Sequence, residues 1–71
     1  MKDYTDKNYY YIYYSTVIGD TLNLIKMIEN ENDFLYYKDP LKRSLLYIAA
    51  RNGHVKICEY IMDKQMLLNF Y

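Results

Sequence analysis

Seventy-one residues allow a single domain, and a chain of this length hides only about 60% of its unfolded surface on folding, so close packing or a covalent staple has to supply its stability. Cys58 is the only cysteine, which rules out an internal disulfide, and one Cys with one His falls short of a four-ligand metal site unless carboxylates join in. Nine basic and nine acidic side chains give zero net charge, so the basic excess of a phosphate-backbone binder is missing; no run of about 18 apolar residues offers a membrane span, and residues 1–7 lack the apolar core of a signal peptide. These features predict an intracellular, cytoplasmic protein with no nucleic-acid or membrane partner and no disulfide chemistry. Eleven tyrosines, with many Lys, Ile and Asn, read first as the signature of low-GC codons and only second as function.

Residues 1–9 form an N-terminal extension that runs into the tyrosine-rich segment 9–14. By propensity alone the aromatic and β-branched content through Ile18 scores as strand. A helix over residues 10–18 is nevertheless predicted, because an internal repeat places this segment opposite a clearly helical one. A second helix is predicted over residues 22–31, with Asp20 as its N-cap. A linking segment, residues 32–43, follows. Asp39-Pro40 within it has the form of an N-cap followed by Pro at the first helical position, and Ser44 offers a second possible start.

Beyond Ser44, Leu46, Ala49, Ala50 and Gly53 recur at i, i+3, i+4 and i+7, one helical face whose small residues let a neighbouring backbone come close. Gly53 ends that helix, since it accepts the left-handed conformation of a C-cap. A last helix is predicted from about Val55 to Asp63, with Ile57, Cys58, Ile61 and Met62 as its apolar stripe. Lys56, Glu59, Asp63 and Lys64 form a solvated face worth little to stability. Leu67, Leu68, Phe70 and Tyr71 leave an apolar tail.

The chain repeats itself. A shift of 34 residues lays Ile12 on Leu46, Tyr13 on Tyr47, Ser15 on Ala49, Thr16 on Ala50 and Gly19 on Gly53. A shift of 33 lays Leu22 on Val55, Leu24 on Ile57, Ile25 on Cys58 and Ile28 on Ile61, and one inserted residue near Thr21 reconciles the two. A period of about 33 residues and the run Ser44-Leu45-Leu46-Tyr47-Ile48-Ala49-Ala50-Arg51-Asn52-Gly53-His54 resemble the ankyrin repeat family. The resemblance covers residues 39–69, through Asp39, Ser44, Leu46, Ala49, Ala50, Gly53, His54, Tyr60-Ile61-Met62 and Asn69; residues 10–38 form a divergent copy. Lys42, Leu45, Tyr47 and Gln65 depart from it, standing where the family carries Gly, Pro, His and Gly. The composition also resembles that of the small ankyrin proteins of giant viruses and some protists.

This resemblance implies an all-α fold of two stacked helix-turn-helix units, residues 10–38 and 39–71, joined by a β-hairpin finger, with Ser44 as the N-cap. It implies a non-enzymatic protein-binding module, its partner unnamed, with contacts at Pro40, Leu41 and Arg43 on the finger and at Arg51 and Asn52 at the helix end. Such arrays usually need about three repeats, so two units leave apolar ends open to self-association. One alternative is a truncated or degenerate array without a function of its own. The other is an enzyme using Cys58, with His54 four residues away; no third residue is placed to orient the imidazole, and none of the residue patterns of a cofactor site is present.

Overall fold

The computed structural model describes residues 7–69, and all four of their regular elements longer than a turn are α-helices: α1 (Lys7–Ile18), α2 (Thr21–Asn30), α3 (Leu45–Arg51) and α4 (Val55–Asn69). A short 3-10 segment, Asn32–Tyr36, follows α2. The expected all-α class therefore holds for the described residues, and no strand forms among them. The tyrosine-rich segment is helical, against its strand propensity, because Ile12, Ser15 and Thr16 fall on one helical side and are buried there.

Local chemistry sets the helix boundaries. Asp20 caps α2 by accepting the Asn23 N–H, and Ser44 caps α3 by accepting the Tyr47 N–H. Both first helices end in the same way. Gly19 and Gly53 adopt φ of +81° and +76°, and the amides of Asp20 and His54 reach back to the carbonyls of Ser15 and Ala49. The end of α2 differs: Glu31 is extended there, and no residue takes a left-handed conformation.

The two hairpins stack. α1 packs on α2 and α3 on α4, while α1 also lies against α3 and α2 against α4. Leu24 and Ile28 on α2, and their repeat counterparts Ile57 and Ile61 on α4, are all fully buried. Between the hairpins Ile12 and Thr16 of α1 are buried, as are Leu45 and Ile48 of α3. Phe34 and Leu35 of the 3-10 segment and Tyr37 close the core beneath them.

Four sequence expectations need correction. α3 buries Leu45, Ile48 and Ala49, whereas Ala50 and Gly53 are exposed and Leu46 is half-buried; the first hairpin covers only one side of α3, leaving the other bare. Met62 is exposed, so it does not belong to the buried stripe of α4. That helix runs on to Asn69 rather than stopping near Asp63, because Lys64, Gln65, Met66, Leu67 and Leu68 are all good helix formers and no glycine interrupts them. The linking segment is a 3-10 turn followed by a tight loop rather than a hairpin finger throughout, with one antiparallel bridge, Lys38 to Ser44. Leu67 and Leu68 thus lie on α4, while Phe70 and Tyr71 fall outside the described residues.

Candidate functional site

Asp39 organises the loop that precedes α3. Its backbone carbonyl accepts the Lys42 N–H at 2.8 Å, closing a β-turn with Pro40 second, the position whose φ a proline already satisfies. Asp39-Pro40 therefore opens a turn, not a helix. The Asp39 carboxylate is buried and fully used: Oδ1 accepts the N–H groups of Leu41 at 2.9 Å and Arg43 at 2.8 Å, and Oδ2 accepts Arg43 Nε at 2.7 Å. Burial pushes this carboxyl up, but the Arg43 and Leu41 hydrogen bonds and the Arg43 charge outweigh it, so its pKa lies below the ordinary value. Lys42 completes the turn with φ of +67°, the only non-glycine among the described residues in the left-handed region.

This turn holds Pro40 and Arg43 beside α1. A cleft of about 260 Å³ opens between them, lined by Tyr9, Tyr10, Tyr13, Tyr37, Asp39, Pro40 and Arg43. A second cleft of about 260 Å³ lies between α1 and α3, lined by Tyr13, Val17, Arg43, Tyr47, Ile48, Arg51 and Asn52. Tyr13 and Arg43 border both, so the two clefts lie side by side as a groove lined in common by these two side chains, where the first helices of the hairpins meet. Each half is smaller than the roughly 300–1,000 Å³ of a small-molecule pocket and suits single side chains of a longer ligand.

Four of the five residues expected at a partner surface, Pro40, Arg43, Arg51 and Asn52, line this groove. Leu41 does not; it stands exposed at the tip of the turn. Arg51 and Asn52 are exposed, the Asn52 amide donating to the Ile48 carbonyl at 2.8 Å. Arg43 is tied to Asp39 and so belongs to the scaffold as much as to the surface. Tyr13 and Tyr47 were not among the residues expected at the partner surface. They are repeat counterparts 34 residues apart and both line the groove, and that recurrence was the available signal.

His54 and Cys58 have another role. His54 Nε2 lies 2.8 Å from the Val17 carbonyl oxygen, across the junction of the two hairpins; a carbonyl only accepts, so Nε2 carries the proton. Cys58 is half-buried and packs against the core. Among the described residues no group of three or more His, Cys, Asp or Glu side chains is arranged to hold a metal ion, and no helix is long and apolar enough to cross a membrane. On the opposite side of the stack, Glu29 accepts hydrogen bonds from Lys64 and Tyr60, so the half-buried Lys64 does not belong to the solvated face expected for it; the hydrogen bond and charge of Lys64 and the Tyr60 hydroxyl together lower the pKa of Glu29. No family model, no curated protein and no solved structure matches the chain.

Proposed function

We propose that this chain is a non-enzymatic, ankyrin-type binding module that takes a segment of another protein along the Tyr13–Arg43 groove. The observation that carries this reading is the pair of adjacent clefts that share Tyr13 and Arg43 and are lined further by Tyr9, Tyr47 and Arg51. Tyr and Arg are the side chains that most often dominate protein interfaces, because each offers a large flat surface together with hydrogen-bond donors. Zero net charge and the balanced solvated faces favour a protein partner over a nucleic acid. The pairing of α1 with α3 and of α2 with α4, repeated at 33–34 residues, supports the ankyrin-type reading of the stack. We place the protein inside the cell, in the cytoplasm.

The test is site-specific photocrosslinking in cells, with a crosslinking amino acid at Tyr47 in the groove and, in parallel, at Lys56 on the solvated face of α4. The expected result is a discrete protein adduct from position 47 that is absent from position 56 and weakened about tenfold or more by Arg51→Ala, the scale of one interface anchor. Equal adducts from both positions, or an adduct indifferent to Arg51→Ala, would overturn the groove as the binding surface.

A further inference from the structure

The internal repeat makes the two outer sides of the stack comparable with its inner junction. Leu45 and Ile48 are buried where α3 meets α1, yet their counterparts 34 residues earlier, Tyr11 and Tyr14, are half exposed at 50% and 48%. At the neighbouring positions the relation reverses: Ile12 and Thr16 of α1 are buried, yet their counterparts Leu46 and Ala50 are half-buried and exposed. α1 packs against α3, and each of the two helices exposes positions that its repeat counterpart buries. The outer face of the first hairpin therefore presents the surface by which the second hairpin docks, and the outer face of the second presents the surface on which it docks.

We infer that copies of this chain stack head to tail, the Tyr11–Tyr14 face of one on the Leu46–Ala50 face of the next, reproducing between molecules the junction found within each. The inference is independent of the groove's occupant, because it uses the two ends of the stack. Side-chain sizes complement one another: bulky tyrosines replace Leu45 and Ile48, and they meet small Ala50 in place of Thr16 and open Gly53. Gly19 is covered by the His54 ring, whereas nothing lies within 4 Å of a β-carbon built at Gly53, which is thus the unfilled copy of the same socket. The 34-residue shift sets Asp20 of the next copy at that socket. This interface is heterologous and does not close, so it propagates, and each added copy extends the Tyr13–Tyr47 row of the groove.

Sedimentation from micromolar to millimolar concentration tests it, on the wild type and on two variants at exposed positions, Tyr14→Arg and Ala50→Arg, with circular dichroism to confirm their helix content. Wild type is expected to gain mass without a plateau, and each variant alone to stay monomeric. An equimolar mixture of the two is expected to stop at a dimer, because it retains one intact pair of faces. The inference is overturned by a helical wild type that stays monomeric throughout, by a plateau at the dimer, by either variant associating as strongly as wild type, or by a chain without helix at every concentration.

Discussion

The imidazole of His54 lies over Gly19 so closely that a β-carbon at position 19 would come within 2.6 Å of its Cε1 and 2.7 Å of its Nδ1. Gly19 is thereby required twice, once by its φ of +81° and once by the ring above it, whereas Gly53 is required only by its φ of +76°. Gly53→Ala is expected to cost about 1–2 kcal/mol, the strain of a left-handed non-glycine residue. Gly19→Ala adds overpacking of about 1–3 kcal/mol. At about 0.05–0.15 kcal/mol per residue the whole chain has about 4–11 kcal/mol of stability, so the summed loss at Gly19 removes a large part of it. Urea denaturation of both variants measures the difference, and equal losses would contradict it.

Removing the ring relieves the clash. His54→Ala is expected to lose about 1 kcal/mol, the usual worth of one hydrogen bond, here the one to the Val17 carbonyl. In that background Gly19→Ala falls toward the cost of Gly53→Ala. A double-mutant cycle reads this as a coupling energy of about 1 kcal/mol or more, whereas additive losses would mean that the two residues do not act together.

The contacts that fix the ends of the helices were legible because they are local. Asp20 and Ser44 stand three residues before the amides they cap, and the two glycines recur at the helix ends. What could not be read was which side of a helix would find a neighbour. Ala50 and Met62 carry the small or apolar character of buried positions, yet they are exposed, because burial depends on the other hairpin and not on the residue. Arg43 is a comparable case at the site. Its spacing of four from Asp39 was visible, but that the intervening segment is a turn closing the pair, so that Asp39 holds the Arg43 Nε even as Arg43 lines the groove, depends on Asp39 being buried. Tyr13 and Tyr47 were hidden by abundance, since among eleven tyrosines a repeated one carries little signal.

The two arginines of the groove are expected to separate experimentally. Arg51 is exposed, and Arg51→Ala is expected to change stability by no more than about 0.5 kcal/mol while weakening partner binding. Arg43→Ala leaves the buried Asp39 carboxylate without its guanidinium and is expected to lower the melting midpoint as well. Thermal melts of the two variants decide this; an unchanged midpoint for Arg43→Ala would mean that the backbone amides alone hold Asp39.

Acid is expected to loosen the contact between α2 and α4. Lys64 and Tyr60 hold the Glu29 carboxyl below its ordinary value of 4.5, so the folded state binds its proton less readily than the unfolded chain does. That contribution is present above the ordinary value and is lost as pH falls through the lowered one. Glu29→Gln is expected to lower the melting midpoint at neutral pH, with the gap from wild type shrinking in the acid range. A gap that stays constant down to low pH would show that Glu29 acts through packing and not through its charge.

Native-state hydrogen exchange, read amide by amide, tests most directly whether the two hairpins form one stack. The packing of α1 on α3, which bury Ile12 and Thr16 and Leu45 and Ile48 respectively, with the His54 bond across the junction, makes each hairpin depend on the other. The slowest amides of α1 and α2 are therefore expected to open with the same free energy as those of α3 and α4, and to lose protection together in His54→Ala. An α1–α2 hairpin that exchanges freely while α3 and α4 stay protected would contradict the stacked pair on which the groove depends.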